Sequence, residues 1–331
     1  MENVAVQAAE LKPMSLSELL DRTFTLYRNR FWVFCGLMVI PEIAILACSL
    51  ILVIGFPIRA ASLVPNPQDP FAVFRQMQSR IGPGMLLLVV QIFFGALALG
   101  AVTVTVSEFY LGRKISIAGA YRMVRGRIFG LIGLIVLLFL IAMVFAFAVI
   151  LAVVLVAMVA SIALNLISPI LSVVFVFLLM IGGFALVAWL MMRYAVSIPV
   201  FLLEGQGAVE SMTRSGELTR GHRGRILGAS IVMYIVVFVI QTLFVLPFSI
   251  MTLVYVTKGV LPLWIQIAQS VAGAVGGTIA GPLFMIAIAL IYYDVRIRKE
   301  AFDLETMMKA LEPAAGAGGN SGAPLPPQPA S

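Results

Sequence analysis

Residues 128–160 read IFGLIGLIVLLFLIAMVFAFAVILAVVLVAMVA, thirty-three consecutive positions without one charged side chain. About 20 apolar residues in a helix cross the ~30 Å hydrocarbon core of a bilayer, so this run is a transmembrane helix with residues to spare. The excess predicts tilt or an extension beyond the bilayer. Similar apolar runs cover residues 31–56, 85–108, 165–192, 226–256 and 262–293, giving six expected spans. Asn165 and Pro169 mark the expected break between the third and the fourth.

The composition agrees. Hydrophobic residues make up 62%, charged residues 11%, and mean hydropathy is +1.09, about half the charge content of a soluble domain. The expected class is all-α, a polytopic bundle spanning residues 13–309. Residues 1–12 are expected to be flexible, and 310–331, rich in Pro, Gly and Ala, to form a disordered tail with no apolar face to bury. No cleavable leader is read at the start, because Glu2, Glu10, Glu18 and Asp21 interrupt it. Cys35 and Cys48 fall on one helix roughly 20 Å apart, too far for a disulfide.

The net charge of +7 sits in short basic segments beside the apolar runs, which is topology information rather than a nucleic-acid signature. Of 22 Lys and Arg, all but Arg59, Arg75, Arg80 and Lys258 fall on one side of the six spans. The positive-inside rule then puts both termini in the cytoplasm of a bacterial inner membrane. Anionic lipid headgroups are the partners expected for such juxtamembrane cations, with a protein partner also open.

Three segments on that side share a pattern. SLSELLDRTFTLYRNRFWVF starts at Ser15, SIAGAYRMVRGRIFGLIG at Ser116 and AVESMTRSGELTRGHRGRILG at Ala208. Each is a short amphipathic stretch, then basic residues, then a span. The expected architecture is three hairpins, each preceded by a cytoplasmic surface helix. Ser15 and Glu18 have capping-box spacing. Asp69 and Pro70 read as the start of a further short surface helix on the other side.

Glu42, beside Pro41, is the acidic residue deepest inside an expected span, where a charge is costly. One reading is a proton or cation site, with a backbone carbonyl freed by Pro41 nearby. The other is a protonated carboxyl hydrogen-bonded to Gln91, Gln241, Gln266 or Gln269. Gly273, Gly277 and Gly281 recur every four residues and suit close helix packing. The even-numbered spans end near Glu108, Glu204 and Asp294, carboxylates that Arg22, Arg127, Arg225 or Arg296 can pair. A cytoplasmic polar cluster of Asp21, Arg22, Glu204, His222, Asp294, Arg296 and Arg298 is therefore a second candidate site. His222, the single histidine, has no partners at metal-ligand spacing, so neither a metal nor a cofactor is expected. No GxSxG, P-loop or HExxH motif is present, and no catalytic residue is assigned.

Leu20-Asp21-Arg22-Thr23-Phe24 before the first span, Pro199 and Leu203-Glu204-Gly205 after the fourth, and the run from Tyr292 to Glu300 together carry a likeness. With these motifs the chain, from about residue 12 to 308, resembles the bacterial glycerophosphoryl diester phosphodiesterase membrane-domain family. The resemblance implies the membrane domain without a catalytic barrel. The function expected is non-enzymatic, organising lipid or partner proteins at the cytoplasmic face; the alternative is a small-molecule or ion transporter or channel using Glu42.

Overall fold

A computed structural model describes residues 14–58, 72–113, 115–259 and 261–317. The described residues form helices and no strands: α1 Leu16–Asn29, α2 Phe31–Gly55, α3 Ala72–Tyr110, α4 Ile117–Arg125, α5 Ile128–Ile167, α6 Pro169–Met191, α7 Ser197–Leu203, α8 Ala208–Leu218, α9 Arg223–Thr257 and α10 Leu263–Ala317. Six stretches are long and apolar enough to cross a membrane: α2, Ile81–Tyr110, Ile128–Ile162, Pro169–Leu203, α9 and Leu263–Glu300. The chain is a multi-pass helical membrane protein.

The short helices begin where side chains can replace the missing intrahelical partners of the first turn. Ser15 Oγ accepts from the Glu18 amide at 3.1 Å while a Glu18 carboxylate oxygen accepts from the Ser15 amide at 3.4 Å, closing the expected capping box of α1. Ser116 Oγ caps α4 through the Gly119 amide at 3.1 Å. Gly207 precedes α8 and has no side chain to offer; there Glu210 reaches back to the Gly207 amide at 3.0 Å. Each helix buries a narrow stripe, Leu19 and Thr23 in α1, Ala120 and Val124 in α4, and Met212 and Leu218 among others in α8.

The three expected units are present: α1 with hairpin α2–α3, α4 with α5–α6, and α8 with α9–α10. Each surface helix, however, lies mainly on the unit before it in a ring. Helix α1 packs on α9 and α10, α4 on α2 and α3, and α8 on α5, α7 and the 3-10 turn at Met192–Tyr194. Side-chain hydroxyls stitch the same joints. Tyr27 of α1 donates to the Ile279 carbonyl at 2.6 Å, Tyr121 of α4 to the Leu37 carbonyl, and Ser215 of α8 to the Arg193 carbonyl at 2.9 Å. The hairpins close the ring through α10 on α2, α3 on α5 and α6 on α9.

Helix α10 is the best-covered span, with 56% of its most apolar window buried against 6% for the third, fourth and fifth spans. Its Ile286, Leu290 and Tyr292 meet Phe34 and Leu37 of α2 and Val102 of α3 in the main core. A second core joins Leu131 and Leu134 of α5 to Val104, Val124, Phe201 and Met212. The α5–α6 hairpin turns large apolar side chains outward, including Phe129, Phe184 and Ile170. Hydrocarbon accommodates such residues as well as a protein core does.

Boundaries shift in three places. Residues 161–167 continue α5, so Ser168 alone links it to Pro169, which starts α6. Proline suits a first helical position, whose amide has no intrahelical partner. The short surface helix expected after Asp69 and Pro70 is the beginning of α3, which runs on through Pro83 into the second span; Asp69 and Pro70 themselves lie outside the described residues. Helix α10 continues to Ala317, eight residues into the segment expected as tail. Residues 318–331 and the N-terminal segment 1–12 lie outside the described residues.

Candidate functional site

Two polar networks form where the surface helices gather, at what is called here the basic face. Asp294 on α10 is 2% exposed. It accepts from the Met14 amide at 2.8 Å and pairs with Arg298 at 3.0 Å and Arg225 at 3.3 Å. Both arginines also donate to the Met14 carbonyl, Arg298 at 2.7 Å. The backbone entering α1 is thus clamped at both its polar groups. Removing one partner of such a buried set leaves an uncompensated charge and costs on the order of 3–5 kcal/mol.

The second network centres on Glu204. One carboxylate oxygen accepts from the Tyr292 hydroxyl at 2.9 Å, and the other lies 3.5 Å from Arg214. Arg296 donates to the Tyr292 hydroxyl and to Glu300, both at 3.0 Å, and Arg214 closes the circuit to Glu300 at 3.3 Å. The fourth span, α8 and α10 are tied by this circuit.

Of the expected cytoplasmic cluster, the structure therefore joins Asp294 with Arg298, and Glu204 with Arg296, in two separate sets. Arg22 pairs instead with Glu18 on its own helix at 2.6 Å, and Asp21 is exposed. His222 immediately precedes α9 with its Nδ1 buried and without a hydrogen-bond partner. Among the described residues no three His, Cys, Asp or Glu side chains gather as a metal site would require. Met14, Arg214 and Glu300 were not in the expected cluster. Met14 acts through its backbone, which carries no side-chain signal, whereas the four-residue spacing of Arg296 and Glu300 was readable.

The arginine before each hairpin repeats its placement. Arg30 lies over the Phe109 ring at 5.2 Å, Arg127 donates to the Phe201 carbonyl at 3.2 Å, and Arg225 pairs with Asp294. Each arginine reaches the far leg of its own hairpin, a structural counterpart to the matching Arg-Gly-Arg-Ile at 125–128 and 223–226.

Glu42 lies elsewhere. It is eleven residues into the 25 of α2, about 16 Å along the axis and near the middle of the helix. It lines an apolar groove of about 430 Å³ between α2 and α10, together with Trp32, Cys35, Val39, Val275 and Thr278. Glu42 forms no hydrogen bond or ion pair among the described residues. The glutamines expected to satisfy it are engaged elsewhere: Gln241 with the Gly273 carbonyl at 3.0 Å, Gln266 with Ile58 at 2.9 and 3.1 Å, and Gln269 with Ser249 at 3.3 Å. Gln91 is exposed. The carbonyl freed by Pro41, that of Leu37, is taken by the Tyr121 hydroxyl. Burial pushes that hydroxyl up to about 12, so it stays a donor at any ordinary pH.

The glycines of α10 divide their work. A Cβ on Gly277 would come within 2.5 Å of a Glu42 carboxylate oxygen, one on Gly281 within 2.7 Å of Met38, and one on Gly276 within 2.7 Å of Gln241. Gly273 would meet nothing within 4 Å; its contribution is the carbonyl that receives Gln241. Gly277 and Gly281 let α2 approach, and Gly276 admits an α9 side chain.

Residues 33–295 match the family described as a domain of unknown function (DUF7847), a stretch that reaches into all six long apolar helices and includes both Glu42 and Asp294. The chain belongs to that family. No curated protein and no solved structure matches it.

Proposed function

We propose that this member of the DUF7847 family is a non-enzymatic protein of the bacterial inner membrane, with both termini cytoplasmic, that organises anionic lipid at its inner face. One observation carries the reading. The buried carboxylates of the basic face are consumed by internal partners, while Arg28, Arg122, Arg125 and Arg220 on or next to the surface helices are exposed and form no ion pair among the described residues. Such cations attract anionic headgroups by about 1 kcal/mol each near a membrane surface. The kinship to glycerophosphoryl diester phosphodiesterase membrane domains belongs to this proposal and lends it no activity.

The test is purification into nanodiscs of mixed zwitterionic and anionic lipid, followed by native mass spectrometry. The wild type should retain phosphatidylglycerol or cardiolipin in preference to phosphatidylethanolamine. An Arg122→Ser, Arg125→Ser, Arg220→Ser variant should lose that preference. Retention without headgroup selectivity, or of a protein partner alone, would sink the lipid assignment.

A second reading, small-molecule transport, is favoured by the unpartnered Glu42 in its lipid-side groove. Uptake or current in proteoliposomes separates it from the first, and flux unchanged by Glu42→Gln would remove that carboxylate from any transport role.

A further inference from the structure

An ionised carboxylate in hydrocarbon is costly, and it is retained where something neutralises it. Glu42 has no protein partner to do so, and α10 makes room for it: Gly277 is the residue facing its carboxylate, where a Cβ would collide. The remaining wall is apolar, with Val39, Ile43 and Val275 beside the Thr278 hydroxyl, which is itself bonded to the Ala274 carbonyl at 2.9 Å. The groove is open along its side, where Ile43 is 60% exposed and Trp32, on the first turn of α2, is 82% exposed.

These features select an occupant. A small metal cation gives up its hydration shell only to several oxygen ligands, and here one carboxylate faces apolar carbon. A neutral lipid chain fills the groove but leaves the carboxyl unmatched. A cation whose charge is spread over a broad apolar body satisfies both parts of the site. It is weakly hydrated and loses little on leaving water, its body buries against the groove walls, and its charge meets Glu42 where low polarity strengthens the attraction. A volume of about 430 Å³ suits such a molecule, because small-molecule sites run from roughly 300 to 1,000 Å³. Phe31 and Trp32 line the end of the groove nearest the basic face, and aromatic faces attract organic cations.

We propose that the groove between α2 and α10 is a binding site for a lipophilic organic monocation, entered from the side and held by Glu42. The assignment supplies the ligand class for the transport reading above and rests on the same carboxylate. It does not depend on flux, since binding without movement removes transport and leaves the site.

The experiment uses the full chain in nanodiscs and two probes of nearly equal size and opposite charge, tetraphenylphosphonium and tetraphenylborate, with binding measured by equilibrium dialysis against empty nanodiscs. The wild type should bind the phosphonium saturably at one site per chain and the borate only as empty nanodiscs do. Glu42→Gln should weaken phosphonium binding at least ten-fold, Glu42→Asp should keep part of it, and Gly277→Leu should lower it by filling the space opposite the carboxyl. Each variant is checked by elution profile and helical circular dichroism; Glu42→Asp and Gly277→Leu serve if the glutamine variant does not fold. Equal binding of the phosphonium by wild type and a folded Glu42→Gln overturns the proposal. So does saturable borate binding, or a co-purifying lipid or partner helix in the groove that the phosphonium does not displace.

Discussion

Asp294 shows how a buried charge is made tolerable: two guanidiniums and one backbone amide surround it, and the same guanidiniums hold the adjoining Met14 carbonyl. Replacing Asp294 with Asn should leave two partly buried cations facing each other and free the start of α1. The expected result is a marked fall in Tm, on the order of 3 kcal/mol of stability, with new tryptic cleavage at Arg22 and Arg28. An unchanged digest would show that Met14 is not held by this cluster. Combining Asp294→Leu with Arg225→Met and Arg298→Met should recover much of the loss, because an apolar set of similar volume needs no desolvation. The sequence offered Asp294 and Arg225 as possible partners, but not the Met14 backbone between them. It singled out Glu42 without revealing that nearby glutamines point elsewhere, since hydrogen-bond choice depends on helix rotation and not on residue type.

Helix α2 contains Pro41 and remains a helix because another helix supplies what proline removes. Proline has no amide for the Leu37 carbonyl, and Tyr121 of α4 donates to that carbonyl instead. Gly36, next to Leu37, leaves room for Ile117 at the start of α4. Tyr121→Phe should therefore strand a buried carbonyl at a cost of about 1–3 kcal/mol, read as a lower Tm in detergent, whereas Tyr234→Phe on the exposed side of α9 should change nothing. The α10 glycines allow a similar contrast. Gly281→Leu should push α2 away through Met38 and destabilise by roughly 1–3 kcal/mol, while Gly273→Ala, which meets no neighbour, should be neutral or slightly stabilising; comparable losses at both sites would contradict the assigned packing. Glycine spacing in the sequence indicated close packing on α10. Only the structure separates Gly277 and Gly281, which face α2, from Gly276, which faces α9.

Across the molecule, run length made the six spans legible, and the repeated basic segments made the three units legible. The ring in which each surface helix covers the preceding hairpin was not, because an amphipathic stripe declares that it will be buried and not against which neighbour. The long third run now has a structural meaning. Residues 128–192 carry no charge, and α5, unbroken from Ile128 to Ile167, holds 40 residues, roughly 60 Å of helix at 1.5 Å per residue, whereas its partner leg breaks after the 23 residues of α6, roughly 35 Å, at the 3-10 turn Met192–Tyr194. Helix α2 holds 25, roughly 37 Å. A ~30 Å hydrocarbon layer fits α2 and α6 with modest tilt, but would require α5, taken whole, to tilt beyond the usual limit of about 40°. Helix α9, 35 residues long, begins with Arg223 and Arg225 and is followed by Lys258, so both its ends can reach the headgroups; α5 has Arg125 and Arg127 before its start but no charge at its far end, where Ser168 leads straight into α6. With only 6% of its most apolar stretch buried, α5 meets the mismatch through lipid. The protein should consequently be more stable in thick bilayers: in nanodiscs of monounsaturated phosphatidylcholine, Tm should rise by several degrees from 14- to 20- or 22-carbon chains. A Tm independent of chain length in the full protein would show that the excess length of α5 is taken up within the protein and not by the membrane.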